Sequence, residues 1–386
     1  MKLSITLLTL SAVLLSFLPS TRNCMKPVKS KLQEMVYEQE TPSVQYLFFD
    51  TDSVIFEFRQ GLSDVRSGKN IEASSRYHLF SITKTFTALA VMQLVQEGKV
   101  DLEKPVVAYL PEFPYPKEIT VEQLVSHTAG VPNPLPLRWI HLPGEHDTFN
   151  RDAFFAEVFR KHPTPDYAAG TKFKYSNLGY VFLGQLIERV SGMTFEAYVN
   201  TNIVSRCGIA REELSFELDT TRHATGYQKY YSAMNAMLGL MIDKPKFMGK
   251  REGSWKPFKP FYNNGIAYGG LFGTGEALMM YAQALLRKDS PLLSDSLKKV
   301  LLTEGRIDGK PTGMAHSWFT GSLNGHGYFA HAGGGGGYYV ELRIYPELGV
   351  GSVVLLNRTG VRDERMLSKL DVSFLPQMSS SANLAY

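Results

Sequence analysis

The feature that most constrains the fold is the position of the β-rich runs, which lie at the two ends of the chain with helical sequence between them. Near the N-terminus, residues 44–50 and 53–61 predict two strands joined by a short turn. Near the C-terminus, residues 326–334, 337–347 and 349–357 are again typical of strands. We therefore expect an α+β fold in which one largely antiparallel sheet is built from both chain ends and flanked by helices.

The middle of the chain is helical and rich in loops, which predicts a second, all-helical lobe beside the sheet. A chain of 386 residues is longer than one compact core usually organises. We place the α/β lobe at residues 25–110 plus 260–375, the helical lobe at 111–259 and a loose tail at 376–386. A cleft between the two lobes is then the natural place for a site.

The first 22 residues have the pattern of a signal peptide, since Lys2 is followed by an uncharged, mostly apolar run to Thr21. We expect export to the periplasm or the outside. No clear cleavage site follows, so a membrane tether through an uncleaved N-terminus stays open as the alternative. Two cysteines occur, Cys24 and Cys207, and the sequence leaves open both a disulfide between them and lipidation of Cys24.

The remaining composition narrows the function class. The net charge is +4, and we interpret it as spread along the chain, because no run of five or more basic residues appears; nucleic acid binding is not expected. The nine histidines are dispersed and no H-E-x-x-H motif occurs, so no metal or other cofactor is expected. The G-x-S-x-G motif of Ser-His-Asp hydrolases is also missing.

A serine and a lysine at S-x-x-K spacing open the most apolar helical segment. Residues 81–97 have apolar positions at three-to-four spacing, which predicts a buried helix that begins at Ser81 and places Lys84 on the same face. The helix N-terminus favours negative charge on a serine oxygen. Ser296 and Lys299 have the same spacing in a polar stretch, where a solvated helix surface is the better interpretation.

Two further motifs could complete a site. The Tyr-x-Asn spacing occurs at Tyr175, Tyr198 and Tyr262, and spacing alone does not choose among them; the loop before a predicted helix favours Tyr175, with Asn177 following it. The third motif is the H-x-G at His331, followed by a run of glycines that would let a substrate approach the strand backbone.

These motifs stand within longer segments that resemble one family. The chain is similar to the serine β-lactamase-related family, which includes class C β-lactamases, D-alanyl-D-alanine carboxypeptidases and family VIII esterases. The resemblance covers most of residues 40–357. It rests on the segments FSITKTFTALAVMQLVQEGKVDLEKPVVAYLPEF, ITVEQLVSHTAGVP, KYSNLGYVFLGQLIERVSGMTFEAYV, YGGLFGTGEALMMYAQALL and HAGGGGGYYVELRIYPELGVGSVVLLN, in the family's order.

The resemblance implies a role for each motif. It selects Ser81 as the nucleophile, Lys84 as the amine beside it, Tyr175 as a proton shuttle and Asn177 as the amide that orients the substrate. It also implies a β-lactamase/transpeptidase-like fold with the active site between the lobes. Whether the amine or the phenol accepts the serine proton stays open, because both ordinarily titrate near about pH 10.

The same resemblance implies an oxyanion hole made by the backbone N–H groups of Ser81 and Gly334. His331 stands where many members have lysine, and a histidine is mostly neutral at pH 7, so recognition of a substrate carboxylate should be weakened. We therefore expect an acyl-enzyme serine hydrolase of esterase type acting on small esters, amides or D-amino-acyl groups. The alternatives are a β-lactamase or D-Ala-D-Ala carboxypeptidase, and a non-catalytic penicillin-binding or cell-wall sensor module.

Overall fold

The computed structural model describes residues 21–360 and 366–376. The predicted signal peptide and the tail therefore lie almost wholly outside the described residues. The α-helices are α1 (Thr21–Tyr37), α2 (Thr83–Gln96), α3 (Val121–Val125), α4 (Arg151–Lys161), α5 (Asn177–Ser191), α6 (Phe195–Val199), α7 (Ala233–Met241), α8 (Lys244–Phe247), α9 (Ile266–Gly269), α10 (Gly275–Leu286), α11 (Asp295–Leu301) and α12 (Met366–Asp371).

The strands are mostly short, and the longer ones stand at the two ends of the chain. They are β1 (Ser43–Asp50), β2 (Val54–Asp64), β3 (Lys69–Asn70), β4 (Tyr77–His78), β5 (Ile140–His141), β6 (Leu214–Ser215), β7 (Tyr227–Lys229), β8 (Trp255–Pro257), β9 (Tyr262–Asn263), β10 (Phe272–Gly273), β11 (Arg306–Ile307), β12 (Lys310–Pro311), β13 (Phe319–Leu323), β14 (His326–Gly335), β15 (Tyr338–Tyr345) and β16 (Val350–Leu356).

The main sheet joins the two ends of the chain, as the sequence predicts. Its seven strands follow the order β13-β14-β15-β16-β1-β2-β3, and every pair is antiparallel. The first strand, β1, therefore pairs with the last, β16, in a register that sets Val44 opposite Leu356. The expected α+β fold with an antiparallel sheet from both chain ends is confirmed.

Helices cover both faces of this sheet, so β1 buries side chains on both sides. Successive residues of a strand point to opposite faces: Tyr46 and Phe48 pack with the apolar residues of α1 and α12, whereas Leu47 and Phe49 belong to the cluster that includes α2 and α10. This larger cluster continues into α3, α5 and α6. The sheet and the helical middle of the chain therefore share one apolar core.

A buried asparagine fastens the first strand to the last. Asn357 Oδ1 accepts hydrogen bonds from the backbone N–H of Ser43 at 2.8 Å and from its hydroxyl at 2.7 Å. Its Nδ2 group donates to the carbonyl of Leu62 at 2.9 Å. Because an unpaired buried polar group is costly, this set of bonds favours one register between the chain ends.

The predicted helix 81–97 differs from the structure at its start. A 3-10 turn, Phe80–Ile82, comes first, and α2 begins at Thr83. Ser81 is therefore in the turn that leads into the helix. Gly98, with φ +67°, follows α2 as expected of a glycine stop. Among the described helices, none is both long and apolar enough to cross a membrane.

Candidate functional site

Ser81 is presented by a strained turn between β4 and α2. The residue before it, Phe80, has a φ of +45°, a left-handed conformation that costs an L-residue on the order of 1 kcal/mol or more. Buried neighbours hold this turn in place: the N–H of Leu79 donates to the carbonyl of Leu271 at 2.9 Å, and Ile82 is fully buried. The half-buried Ser81 thus reaches the wall of a cavity.

Lys84 lies beneath Ser81 and is completely buried. Its Nζ atom is 3.0 Å from Ser81 Oγ and donates to the carbonyl oxygen of Tyr268 at 2.8 Å. Tyrosine rings surround it, with centroids 4.8 Å away for Tyr175, 5.7 Å for Tyr180 and 5.1 Å for Tyr268. Burial holds the pKa of the Lys84 amine well below its ordinary value. The structure therefore favours a neutral amine beside the serine.

Tyr175 lies in the loop just before α5 and faces the same serine. Burial raises the pKa of its phenol, and the hydrogen bond with the Ser81 side chain opposes that rise. The phenol is consequently neutral. The sequence left open whether Lys84 or Tyr175 has the lowered pKa; these two shifts favour a neutral amine and a neutral phenol over a phenolate paired with an ammonium.

His127 holds the loop that carries Tyr175. Its Nδ1 atom accepts a hydrogen bond from the backbone N–H of Ser176 at 3.1 Å, and its carbonyl accepts from the N–H of Lys174 at 3.0 Å. The ring also packs on Tyr175, with centroids 4.5 Å apart. Burial holds the pKa of His127 well below its ordinary value.

Asn177 is fixed at the start of α5 by a second asparagine. Asn133 Oδ1 accepts from the backbone N–H of Asn177 at 3.0 Å and from its side-chain amide at 3.1 Å. Ser176 caps the helix by accepting from the N–H of Gly179 at 3.1 Å. The rotation of the Asn177 amide is therefore set where it lines the cavity beside Ser81.

His331 is buried beneath two aromatic rings. Only 1% of the residue is exposed, with Tyr175 and Phe319 at centroid distances of 6.0 Å and 5.6 Å. Nδ1 lies 2.9 Å from the carbonyl of Ala332. Burial lowers the pKa of His331 to about 3. The imidazole is thus close to the site but neutral.

The glycine run brings the backbone of β14 against the serine turn. A Cβ atom added at Gly333 would lie 2.1 Å from the carbonyl oxygen of Leu79 and 3.1 Å from the backbone nitrogen of Ser81, so only glycine fits there without displacement. The next residue, Gly334, lines the cavity together with Ser81. This approach places the two residues of the expected oxyanion hole beside each other.

The cavity in front of Ser81 has a volume of about 160 Å³ and an uncharged wall. Most of its side chains are aliphatic or aromatic, and its polar groups are hydroxyls, amides and backbone. The lining consists of Phe80, Ser81, Pro136, Leu137, Ile140, Asn177, Leu238, Ile242, Phe258, Phe261, Asn263, Tyr268, Gly269, Gly334, Gly335 and Gly336. None of these described residues is acidic, basic or a histidine, so a bound group meets no formal charge on the wall.

The other matches to the motifs lie away from this cavity. Ser296 is exposed on α11, where its hydroxyl is 3.1 Å from that of Ser294. Tyr198 is buried within α6. Tyr262 stacks on His146 at a centroid distance of 3.8 Å. The structure thus brings together Ser81, Lys84 and Tyr175, the set that the family resemblance selects.

Sequence reasoning missed three contributors to the site. The carbonyl of Tyr268 accepts from the buried amine, Asn133 orients Asn177, and Phe319 covers His331. A backbone carbonyl leaves no mark in a sequence, and a lone asparagine or phenylalanine is ordinary. Asn263 also lines the cavity. It is the middle residue of the Tyr-x-Asn candidate that begins at Tyr262, and this position beside a motif was the only indication of it in the sequence.

The cysteines and the possible metal ligands are outside this chemistry. Among the side chains that the structure describes, Cys207 has no disulfide partner, and burial raises the pKa of its thiol to about 12, which makes the thiol unreactive at neutral pH. The side chain of Cys24 lies outside the part of the chain that the structure describes, so the predicted alternatives for it stay open. Within residues 21–360 and 366–376, no three histidine, cysteine, aspartate or glutamate side chains form a metal-binding cluster.

Solved structures share this architecture. The D-amino acid amidase from Ochrobactrum anthropi SV3 complexed with D-phenylalanine has a TM-score of 0.71 and 16% identity, over 92% of this chain and 98% of that one. The octameric penicillin-binding protein homologue from Pyrococcus abyssi has a TM-score of 0.70 and 23% identity, over 87% of this chain and 74% of that one. At these identities the likeness concerns the fold.

Sequence comparison gives the family. Penicillin-binding protein 4* of Bacillus subtilis (strain 168) is 26% identical over 190 residues, which is 48% of this chain and 42% of that protein. This chain spans roughly half the length of the curated relatives it matches. The model of the Beta-lactamase family matches residues 28–373, nearly all of the described chain. The protein therefore belongs to the Beta-lactamase family.

Proposed function

We propose that the protein is an esterase-type serine hydrolase that cleaves small esters or amides of uncharged, apolar acyl groups through an acyl-enzyme at Ser81. The observation that carries the substrate class is the uncharged wall of the cavity in front of the serine. Burying a charged group there without a partner would cost several kcal/mol, on the order of 2 or more. The buried neutral His331 supports the same choice.

The contacts of Lys84 support a first step in which the neutral amine takes the serine proton. Nζ is 3.0 Å from Ser81 Oγ, and burial favours its unprotonated form. As that proton moves to nitrogen, Oγ bonds to the substrate carbonyl carbon, and the carbonyl electrons move onto oxygen. The N–H groups of Ser81 and Gly334 would then stabilise the oxyanion.

Collapse of this intermediate breaks the bond to the leaving group, which needs a proton. Tyr175 is the donor we assign, because its phenol is neutral and hydrogen-bonds with Ser81; it recovers a proton from the Lys84 ammonium, whose Nζ lies 4.8 Å from the centroid of its ring. In the second half, water attacks the acyl carbon, its proton passes to the amine, and Ser81 leaves with a proton. Every proton is thereby returned and no cofactor is consumed.

A second candidate is hydrolysis of D-amino-acyl amides. The amidase that shares the fold was solved with D-phenylalanine, and a phenyl group suits the wall built from Phe258 and Phe261. The uncharged wall argues against the penicillin and D-Ala-D-Ala substrates, whose carboxylates call for a cation. A non-catalytic module is the remaining alternative, which the Ser81–Lys84 contact disfavours.

The experiment is hydrolysis of p-nitrophenyl butyrate, D-phenylalanine amide and nitrocefin by the wild type and by Ser81→Ala and Tyr175→Phe. Ser296→Ala is the matched control, since Ser296 has the same S-x-x-K spacing on an exposed helix. We expect ester cleavage in the wild type and the control and a loss of about 10²-fold or more in the two site variants. Mass spectrometry after a fluorophosphonate should find the label on Ser81.

Two outcomes would change the assignment. Rapid turnover of nitrocefin with slow ester cleavage would replace the esterase by a β-lactamase. Equal inactivity of wild type and variants on all three substrates, with no fluorophosphonate label on Ser81, would overturn the catalytic proposal and leave the non-catalytic module.

A further inference from the structure

Helix α7, beside the active-site cavity, turns an apolar face to solvent. Its outward residues recur at three-residue spacing: Met234 is 45% exposed, Met237 53% and Leu240 83%. Two exposed tyrosines stand next to it, since Tyr231 directly precedes the N-cap residue Ser232 and borders the same surface cleft as Tyr37. We name these residues the α7 surface: Tyr37, Tyr231, Met234, Met237 and Leu240. They are half of the ten exposed large hydrophobic residues found within the described chain.

The stretch of chain that carries α7 is rich in positive charge, while Glu38 lines the cleft that Tyr37 and Tyr231 share. Between residues 229 and 259 the chain has seven lysine and arginine residues and only two acidic ones, whereas the whole chain has a net charge of +4. The interpretation of an even charge distribution, made from the sequence, was therefore wrong: the remainder of the chain is nearly neutral. The basic residues are Lys229, Lys244, Lys246, Lys250, Arg251, Lys256 and Lys259.

Contacts within the structure place two of these cations, Arg251 and Lys244, beside the apolar residues, whereas Lys246 is paired with Glu145 at 2.6 Å. Arg251 donates to the hydroxyl of Tyr231 at 2.9 Å, and its guanidinium lies 4.8 Å from the centroid of that ring. Lys244 donates to the carbonyl of Asn235 within α7, and its side chain runs along Gly239. Lys250 and Arg251 are both exposed.

We propose that the α7 surface docks on an anionic lipid membrane. Apolar side chains projecting from one side of a helix, tyrosines at their edge and a surrounding set of lysine and arginine residues are the chemistry that an interfacial segment uses. The hydrocarbon boundary accepts the methionine and leucine side chains, and the cations attract acidic headgroups. A soluble protein with an apolar surface could bind the methionine side chains, but its binding would not explain the excess of positive charge.

The buried face of α7 connects the proposed docking surface with the cavity in front of Ser81. Leu238 lines the cavity in front of Ser81 and packs with Ile242 and Phe261. The helix that contacts lipid would therefore also form part of the wall of the substrate cavity. If the proposed hydrolase activity holds, its apolar acyl substrates would be met at the membrane surface; the docking itself does not depend on that activity.

The test places an environment-sensitive fluorophore at Met237→Cys in the full chain, in a Cys24→Ser and Cys207→Ser background. Vesicles are phosphatidylcholine alone or mixed with phosphatidylglycerol. A local probe is chosen because a retained N-terminal segment could bring any variant to a vesicle. Val300→Cys on α11 is the matched control, since Val300 is another exposed apolar residue on a helix. The variant Lys250→Ala/Arg251→Ala removes two of the cations.

With vesicles that contain phosphatidylglycerol, we expect the fluorescence emission of the probe at position 237 to shift to shorter wavelength and to be quenched by a lipid-attached quencher. Added salt should reverse both changes. The emission of the probe at position 300 should not change. Each removed cation should weaken vesicle binding about fivefold. An unchanged probe at 237, or equal responses to the two lipid compositions, would overturn the proposal. A shift that depends on protein concentration without lipid would overturn it in favour of a second copy of the chain.

The hydrolase assay separates this result from the proposed function. Met234→Glu/Leu240→Glu should abolish the lipid response of the fluorophore at position 237 and leave hydrolysis of soluble p-nitrophenyl butyrate within about twofold of wild type. A protein that hydrolyses nothing but still shows the 237-specific lipid response would refute the enzyme and keep the docking surface. A protein that hydrolyses the ester but lacks the 237-specific lipid response would support the enzyme and refute the docking surface.

Discussion

Lys84 donates a hydrogen bond from its buried Nζ to the carbonyl oxygen of Tyr268 at 2.8 Å, across 184 positions of sequence. Burial lowers the pKa of the Lys84 amine, and no carboxylate is among the groups that influence this pKa. Burial is what favours the neutral amine, since the Tyr268 carbonyl dipole and the surrounding tyrosine rings would by themselves favour the ammonium. The fold thus makes a base from a residue that is ordinarily a cation at neutral pH.

This lowered pKa predicts a pH-dependent stability difference in Lys84→Met. Between the depressed pKa of Lys84 in the folded state and its ordinary value of 10.5, the unfolded chain binds one proton that the folded chain does not. The stability of the wild type relative to the variant should therefore rise with pH across this window. Urea unfolding from about pH 6 to about pH 9 measures it.

The matched control is Lys299→Met, which replaces an exposed lysine on α11. Lys84→Met should also lower ester hydrolysis by about 10²-fold to 10⁴-fold. A flat stability difference for Lys84→Met would show that Lys84 stays protonated in the folded state.

Gly333→Ala should damage catalysis, because its new Cβ atom would meet the Leu79 carbonyl oxygen at 2.1 Å. The strand must then move away from Ser81, which displaces Gly334 from the oxyanion. We expect kcat to fall by about 10²-fold to 10³-fold, the cost of one lost oxyanion donor. Gly327→Ala is matched on the same strand, where an added Cβ meets nothing within 4 Å. Steady-state ester kinetics should show near wild-type values for it; equal effects of the two would contradict the assigned role.

Phe319→Ala should raise the pKa of His331 from about 3 toward its ordinary 6.5. The ring of Phe319 lies 5.6 Å from that of His331, and removing it admits water to a group whose pKa is lowered first by burial. Titration of the imidazole by NMR measures the change. Val300→Ala, on another element, should leave the titration where it was, and a His331 pKa that remains near 3 in Phe319→Ala would show that the ring does not control its hydration.

His316→Gln should destabilise the protein more at low pH than at high pH. Burial lowers the pKa of His316, but the hydrogen bond and charge of Glu122, 2.7 Å away, together with bonds to the backbone, outweigh it and raise the pKa above 6.5. The stabilisation is therefore complete below about 6.5 and is lost as pH rises through the raised pKa.

Chemical unfolding near about pH 6 should show a loss of about 1 to 3 kcal/mol for this variant, and less near about pH 9. Glu122→Gln should give the same trend, and the two changes should not add, because they remove one interaction. Additive losses would mean that the two side chains act independently.

Much of the fold was predictable because it depends on local patterns. The apolar run of β1, the glycine after α2 and the strands near the C-terminus each indicate their element from a few neighbouring residues. Their division between the chain ends was enough to predict the antiparallel sheet. The start of α2 was misplaced by two residues, since the 3-10 turn at Ser81 depends on long-range contacts of Leu79 with Leu271.

Some features of the candidate site were likewise predictable from the sequence, and others were not. The sequence by itself determined which residue types could meet, through the spacing of Ser81 and Lys84 and the resemblance that selects Tyr175. Only the tertiary structure decided their protonation states and surroundings, because desolvation, the Tyr268 carbonyl and the ring of Phe319 come from distant segments. It also decided that Leu238 faces the cavity while Met237 faces solvent, since the side that a helix buries depends on what packs against it.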